Sequence, residues 1–204
     1  MGRYIKKTGQ TTPVNAVVEN TWSGSTVNAP SVAMVQEALV GENMLINSDF
    51  RHGAINQKGA TSYNTQYQYG IDMWYQISTG TLTVNDDSIS TSADLKFWFD
   101  EQPENGDYTV AISVDGTLYT YTFEGFTGTS KTHNFNIGSN TLGVEMLTRQ
   151  VILYMNGATF NIDFVKLEKG KHFTGMPEWN KAIEILKCQR YLFSCYKASG
   201  YGFE

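Results

Sequence analysis

The sequence predicts a mostly β protein, an antiparallel β-sandwich (jelly roll) with a short N-terminal helix and a C-terminal helix. Its composition favours strands, because 13% of the residues are aromatic and 22 are Thr, and such side chains fit a pleated, half-buried sheet. Short strand-like segments recur about every ten residues between turn signals, as in sandwiches and jelly rolls. Strands and helices do not alternate, which excludes a doubly wound nucleotide-binding sheet.

The charge balance argues against two classes of partner. The chain has 15 Lys and Arg against 20 Asp and Glu, a formal net charge of −5, and so offers little attraction for nucleic acids or anionic membranes. No stretch approaches the about 18 apolar residues of a membrane helix, and the basic N-terminus lacks the apolar core of a secretory signal. We expect no nucleic-acid partner, no membrane insertion, and folding in a cytoplasm.

Residues 1–42 are predicted to form an extended attachment segment with one short helix. Over 31–40, Pro30 precedes a helical pattern, Ser31 can cap it, and Gly41 ends it. A helix of this length measures about 15 Å and is not stable alone in water. Its apolar stripe is expected to pack either on its own domain or on the same helix of neighbouring copies.

Residues 43–176 are predicted to form the β-sandwich. Asp115-Gly116 is a hairpin signal between two alternating segments, and Asn156-Gly157 is a second one. The predicted strands cover 44–47, 73–77, 81–84, 88–91, 95–99, 108–114, 117–123, 132–137, 142–146, 151–156 and 159–167.

Residues 177–204 are predicted to contain a helix and the start of a further strand or module. Helical spacing extends over 177–190. The apolar residues that set this spacing are Trp179, Ile183 and Leu186. From Tyr191 the pattern changes to a strand followed by a glycine-rich turn.

The sequence carries no enzyme motif. It has neither a glycine-rich phosphate loop nor a G-x-S-x-G turn, and its histidines lack metal-binding spacing. Cys188 and Cys195 are expected to be reduced thiols, too few for a disulfide framework or a zinc site. We expect no catalytic residue, metal or cofactor. Paired carboxylates for glycoside cleavage stay open, because they are assembled only in three dimensions; the acidic pair Asp86-Asp87 is most simply a turn.

The candidate binding residues come from aromatic side chains interleaved with polar ones between residues 63 and 75. Aromatic rings cover the apolar face of a sugar, while amides and carboxylates bind its hydroxyls. Trp98 lies between two Phe residues, so strand alternation sends an aromatic side chain to each face. The candidate glycan contacts are Tyr63, Tyr67, Gln68 and Trp98. The alternative places Trp74 in the core and the tyrosines on a loop around the sandwich.

Two segments resemble a module that recurs in bacteriophage and prophage tail-fibre proteins. The first contains NMLINSDFRHG at 43–53, INQKG at 55–59 and YGIDMW at 69–74. It is similar to the family pattern N-L-L-x-N-x-x-F, N-Q-R/K-G and Y-x-x-D-x-W. The second contains FVKLEKG at 164–170, Glu184 and CQRY at 188–191, and is similar to V-K-L-E-x-G…E…C-Q-R-Y. Together they span residues 43–191.

The resemblance implies a jelly roll like those of carbohydrate-binding modules, with adjacent first and last strands, in a homotrimeric fibre that meets the host surface. Some related modules hold a structural calcium through a Glu and an Asp pair. Here Arg51 stands at the Glu position, and Asp163 alone remains of the pair, followed by Phe164. A cation at that position opposes calcium binding, and an Arg51–Asp163 ion pair is the hypothesis for its replacement.

The functional hypothesis is a non-enzymatic adhesion module of a phage tail fibre that recognises a bacterial surface glycan. The expected partners are the surface polysaccharide, sister chains in a trimer and other tail proteins, and the expected location is the virion, assembled in the host cytoplasm. The alternative is a structural trimerisation or connector module whose fibre carries the receptor site elsewhere. A glycan-degrading depolymerase is a third hypothesis.

Overall fold

Two six-stranded antiparallel sheets face each other across one hydrophobic core. The computed structural model describes residues 41–99 and 102–198, with side chains of the C-terminal helix up to residue 190. The strands are β1 (Ser62–Tyr63), β2 (Gln68–Tyr69), β3 (Trp74–Gln76), β4 (Leu82–Val84), β5 (Ile89–Thr91), β6 (Leu95–Trp98), β7 (Gly106–Val114), β8 (Thr117–Phe126), β9 (Lys131–Ile137), β10 (Asn140–Leu147), β11 (Gln150–Tyr154) and β12 (Phe160–Lys169). The first sheet has the order β1-β4-β5-β12-β7-β8, and the second has β2-β3-β6-β11-β10-β9. This architecture confirms the predicted antiparallel β-sandwich.

The core is built by alternation along the strands, because successive side chains of a strand point to opposite faces. Val165 and Leu167 of β12 and Phe97 of β6 face inward and are buried. Trp74 is fully buried, with its ring centroid 6.1 Å from that of Phe50 and 5.6 Å from that of Phe97. Trp74 is therefore a core residue, as the alternative interpretation of the aromatic segment held.

All predicted strands except the one over 44–47 are confirmed. Of the two predicted hairpin turns, Asp115-Gly116 is confirmed between the paired strands β7 and β8, whereas the hairpin predicted at Asn156-Gly157 is wrong, because the turn carries the chain from β11 of the second sheet to β12 of the first. Asp115-Gly116 has φ of 49° and 73°, as a two-residue hairpin of type I′ requires. Asn156-Gly157 has a similar backbone, with φ of 52° and 80°, and the Ala158 N–H donates to the Met155 carbonyl (3.0 Å) across it, so the turn signal was right although the strands it joins do not pair. Strands β1 and β2 were not predicted, because two residues are too few to show an alternating pattern.

The predicted strand over 44–47 is irregular backbone, yet it lies along β12. The Met44 N–H donates to the Leu167 carbonyl (2.9 Å), the Val165 N–H donates to the Ser48 carbonyl (2.8 Å), and a single β-bridge follows between Asp49 and Phe164. Asparagine side chains in this stretch bind nearby backbone groups and so compete with a regular ladder. The first segment of the sandwich is thus adjacent to its last strand.

The C-terminal helix, α1 (Lys181–Ala198), begins later and ends later than the sequence predicts. Asn180 caps it, since its Oδ1 accepts from the N–H groups of Ala182 (3.1 Å) and Ile183 (3.3 Å). The strand predicted from Tyr191 is wrong, because the helix continues to Ala198. The predicted helix over 31–40, the attachment segment before it and the chain end after Ala198 lie outside the described residues.

The chain between β12 and α1 crosses the outer face of the first sheet, and we call residues 170–180 the crossing segment. The Gly170 carbonyl accepts from the Thr109 hydroxyl (2.8 Å) of β7, and the Lys171 carbonyl accepts from the Thr122 hydroxyl (3.2 Å) of β8. The Phe173 ring lies parallel to that of Phe164, with their centroids 6.1 Å apart. Because of this cover, outward-facing residues of β7 and β12 are buried as well.

Candidate functional site

Residues that carry the tail-fibre resemblance form a network of hydrogen bonds inside the sandwich. We call the network made by the side chains of Asn43, Asn47 and Glu184 the latch. Asn43 Oδ1 accepts from the backbone N–H groups of Leu45 (3.0 Å) and Leu167 (3.1 Å). Its Nδ2 donates to the Ser48 hydroxyl (2.8 Å) and the Val165 carbonyl (3.1 Å). A single amide therefore ties the first segment to β12.

Asn47 makes a second part of the latch from a buried position. Its Nδ2 donates to the carbonyls of Ile55 and Asp72, both at 2.8 Å, and its Oδ1 accepts from the Ile55 N–H (2.6 Å). The Asn47 carbonyl accepts from Trp74 Nε1 (2.9 Å), and the Asp72 carboxylate accepts from Gln57 Nε2 (2.7 Å). These residues hold loops together, which is a structural role.

The first turns of α1 belong to the same latch. Glu184 Oε2 accepts from the Asn47 N–H (3.0 Å), and Glu184 Oε1 pairs with Lys187 Nζ at 2.9 Å. Cys188 is a buried free thiol. Burial, together with the negative charges of Asp72 and Glu184, raises the pKa of Cys188 to about 12 and keeps the thiol neutral. The helix start is part of the folded module.

A buried ion pair lies beneath the crossing segment. Lys166 Nζ donates to Glu168 Oε2 (2.9 Å), to the Thr174 hydroxyl (3.0 Å) and to the Gly175 carbonyl (2.5 Å). Glu168 Oε1 accepts from the Thr174 N–H (2.8 Å). Since both charges are partnered and covered, this pair anchors the crossing segment.

Tyr63, the first predicted glycan contact, is only 7% exposed. Its hydroxyl donates to Asn56 Oδ1 (2.5 Å), and burial raises its pKa. The ring packs in the core, so it has no free face for a sugar, and we remove Tyr63 from the candidate contacts. Strand β1 is too short for its inward face to be read from the sequence.

The other three predicted contacts lie near one edge of the second sheet, at β2 and β6. Tyr67 is 68% exposed just before β2, with a φ of 62°, and its carbonyl accepts from the Tyr75 hydroxyl (2.7 Å). Gln68 is half-buried in β2 opposite Gln76 of β3, which is fully buried. Alternation therefore places the Gln68 side chain on the inner face, opposite to Tyr69 and Tyr75, and we remove Gln68 from the candidate contacts. Trp98 is 43% exposed at the end of β6.

Tyr75 and Lys96 connect Tyr67 and Trp98 into one surface on the outer face of the second sheet. They are register partners on β3 and β6, and alternation places Trp98 on the same face. Lys96 Nζ lies 4.3 Å from the centroid of the Trp98 ring and 5.4 Å from that of the Tyr75 ring, within the range of a cation–π contact. We call Tyr67, Tyr69, Tyr75, Lys96 and Trp98 the platform.

Sequence reasoning missed Lys96 and the polar side chains farther along the same face. Lys96 stands two residues before Trp98, so strand alternation could have found it. Tyr154 and Glu145 follow on β11 and β10. The Tyr154 hydroxyl donates to Glu145 Oε2 (2.6 Å), and burial together with this carboxylate raises the pKa of Tyr154 to about 12. Nothing in the sequence indicates this pairing.

The hypothesis of an Arg51–Asp163 ion pair is wrong. Arg51 pairs instead with Asp49, through Nε to Oδ1 and Nη2 to Oδ2, both at 2.8 Å. This contact is the main cause of its raised pKa. Asp163 Oδ2 accepts from the Ser113 hydroxyl (2.6 Å) and the Gly116 N–H (2.8 Å). Arg51 pairs with Asp49 and not with Asp163 because the Asp49 carboxylate accepts two parallel hydrogen bonds from the guanidinium.

Arg51 and Asp163 nevertheless line the same feature, a cavity of about 620 Å³ on the outer face of the first sheet. Within the described residues, no three His, Cys, Asp or Glu side chains are grouped so that they could hold a metal ion. In the same part of the chain, no helix is long and apolar enough to cross a membrane. The platform and this cavity each offer aromatic and polar groups together.

Comparison with known proteins adds no relative: no family model, no curated protein and no solved structure matches the chain. The functional interpretation therefore depends on the chemistry of the surfaces.

Proposed function

We propose that this chain is a non-enzymatic adhesion module of a bacteriophage or prophage tail fibre and that it binds a bacterial surface glycan through the platform. The observation that carries the proposal is the row of half-buried Tyr75 and Lys96 and exposed Trp98 on the outer face of the second sheet. The sandwich fixes the position of this row, because the alternate side chains of β3 and β6 point to the inner face of the sheet and are buried.

The chemistry of the platform suits a sugar chain. The Trp98 and Tyr75 rings offer apolar faces for the C–H groups of sugar rings. Lys96 stands between them and donates to hydroxyl, carboxylate or phosphate oxygens. Tyr67 extends the surface at the edge of the sheet. An exposed, flat platform binds weakly by itself, so several copies on one fibre supply avidity without new contacts.

This avidity requires the homotrimer that the resemblance implies, joined to other tail proteins in the virion. The mass of the protein in solution shows whether this trimer forms. A trimer supports the proposal, whereas a monomer at working concentrations removes the multivalent part of it.

The platform is tested by binding of the labelled full chain to intact bacteria and to an array of bacterial polysaccharides. The variant is Trp98→Ala. The matched control is Tyr121→Ala, because Tyr121 is an aromatic residue of similar exposure, 38% against 43%, on the first sheet. Loss of one stacking ring costs about 1 kcal/mol, so binding per site falls about fivefold in Trp98→Ala and is unchanged in Tyr121→Ala.

Two results contradict the proposal. If Trp98→Ala and Tyr121→Ala bind alike, the platform is not the contact surface. If the chain releases reducing sugar from a host polysaccharide, the module is an enzyme and the depolymerase hypothesis replaces adhesion.

A structural connector is the second candidate function, favoured by one observation. Ile183 and Leu186 of α1 are 51% and 65% exposed, which leaves an apolar stripe available for another chain. A connector forms the trimer and binds neighbouring tail proteins but fails to bind any cell or polysaccharide. That combination of results distinguishes it from adhesion.

A further inference from the structure

A bulge in β12 shapes the cavity on the outer face of the first sheet. The pairing of β12 with β7 shifts between Ile162 and Phe164, so that Asp163 is an extra residue. Ile162 and Val165 both face the core, and the two residues between them are turned outward. Bulges re-aim side chains in this way and are common beside binding sites. Here the bulge sets a carboxylate next to an aromatic ring.

Separate parts of the chain line the open cavity around Asp163 and Phe164. The turn at Phe50–His52 contributes Arg51, whose guanidinium lies 5.0 Å from the centroid of the Phe164 ring. The turn between β4 and β5 contributes Asp87, and the crossing segment contributes Phe173 and Met176. The volume of about 620 Å³ falls within the about 300–1,000 Å³ of small-molecule sites.

The polar groups of the cavity keep hydrogen-bonding capacity. Among the described residues, the Asp163 carboxylate uses only Oδ2, and Oδ1 accepts no hydrogen bond. The Asp87 carboxylate accepts only from the Ser88 hydroxyl (3.4 Å) among the residues that the structure describes. Arg51 binds Asp49 through Nε and Nη2, which leaves Nη1 to donate. Two acceptors and one donor thus face an aromatic and aliphatic wall.

The charges select among ligands. Asp49 neutralises Arg51, whereas no ion pair within the described residues compensates Asp87 or Asp163. An anionic ligand is therefore repelled. Hydroxyl groups donate well to carboxylates, because such hydrogen bonds are charge-assisted. The Phe173 ring provides a face for C–H groups.

We propose that this cavity is a second saccharide site that takes a neutral sugar. It lies on the opposite sheet from the platform, and its acidic character contrasts with the lysine of the platform. The module would thereby contact a glycan at two chemically different places, which goes beyond the adhesion surface proposed above.

The experiment is an NMR titration of the ¹⁵N-labelled full chain with methyl glycosides of glucose, galactose and N-acetylglucosamine, and separately with glucuronate and glucosamine. We expect at least one neutral glycoside to shift the amide signals of Gly116 and Phe173. In Asp87→Asn, binding weakens about tenfold, because the sugar hydroxyl then donates to a neutral instead of a charged acceptor. The matched control is Asp86→Asn, which removes the same charge from the neighbouring residue, one that does not line the cavity, and leaves binding unchanged.

Several outcomes overturn the proposal: no shift with any neutral glycoside, equal weakening in Asp87→Asn and Asp86→Asn, glucuronate binding as tightly as the neutral sugars, or binding of glucosamine alone, which would make this a site for cationic ligands. The titration is repeated in Trp98→Ala to separate the two sites. If the cavity signals still shift while cell adhesion is lost, both proposals stand. If adhesion depends on Trp98 and the cavity signals never shift, only the cavity proposal fails.

Discussion

At the scale of single residues, asparagine side chains connect the first segment of the sandwich to β12 and to neighbouring loops by hydrogen bonds. Asn43 and Asn47 replace regular strand pairing by side-chain hydrogen bonds to backbone groups that are far apart in sequence. Such bonds leave buried donors and acceptors behind when the side chain is removed. The patterns that resemble tail-fibre modules thus have a physical role that does not require a ligand.

We expect Asn47→Ala to destabilise the fold strongly. The substitution removes three buried hydrogen bonds and leaves the Ile55 N–H and the Asp72 carbonyl without these partners, which costs about 2–4 kcal/mol in the free energy of unfolding. Urea denaturation measures it. The control is Asn64→Ala at an exposed position, and a loss in Asn47→Ala no greater than in this control contradicts the latch.

A second prediction concerns the buried Lys166–Glu168 pair. Glu168→Gln leaves a buried ammonium without its counter-charge, and breaking such a pair by altering one partner costs about 3–5 kcal/mol. The double variant Lys166→Met, Glu168→Gln removes the charge altogether and is expected to recover part of the loss. Thermal and urea unfolding of Glu168→Gln, Lys166→Met and the double variant give the coupling free energy between the two side chains. If the two single losses simply add in the double variant, the pair does not act as a unit.

A third prediction follows from the neutral thiol of Cys188. Its pKa is raised from 9.0 to about 12, so the unfolded thiol ionises at a lower pH than the folded one. Stability from this group is complete below pH 9.0 and is lost as the pH rises toward about 12. In a Cys195→Ser background, the free energy of unfolding should fall more steeply over this range with Cys188 than with Cys188→Ala. Parallel slopes would show that the thiol is not desolvated.

At the scale of elements, α1 shows both the strength and the limit of sequence patterns. Helical spacing correctly indicated a helix near the C-terminus, but the boundaries followed the cap at Asn180 and not the first periodic residue, Trp179. The aromatic run from Tyr191 has strand-like composition, and the backbone is nevertheless helical to Ala198. Composition alone does not decide between a strand and the continuation of a helix that is already formed.

We expect Asn180→Ala to cost about 1 kcal/mol in the free energy of unfolding, because the first turn of α1 loses its side-chain acceptor. Asn180→Asp retains an acceptor and should be nearly neutral. Circular dichroism during urea titration measures both variants. Equal stability of Asn180→Ala and Asn180→Asp would show that this end of the helix does not contribute to the fold.

Strand alternation explains which site residues were accessible to sequence reasoning. It placed Trp98 on an exposed face, and the same rule applied to β6 would have added Lys96. It could not place Tyr63, because a two-residue strand has no period. The bulge at Asp163 is visible only as a change of parity, from inward Phe160 and Ile162 to inward Val165 and Leu167. The cavity needs contacts between distant loops and could not be inferred from spacing.

At the scale of the whole molecule, the fold class could be predicted because its signals are distributed over many short strands. Recurring turn signals and the alternation of β7 predict an antiparallel sandwich without knowledge of the strand order. The order of the sheets depends on long-range pairing, such as that between residues 43–49 and β12. The outer faces of the two sheets therefore differ. The crossing segment covers the outer face of the first sheet, and the second sheet carries the platform on its outer face.

The central claim is that the outer face of the second sheet adheres to a surface glycan without a reaction. Hydrogen–deuterium exchange of the full chain, with and without purified host surface polysaccharide, tests it most directly. We expect slower amide exchange over residues 67–76 and 95–98, together with a polysaccharide of unchanged length after incubation. Slower exchange confined to α1, or shortening of the polysaccharide, would contradict it.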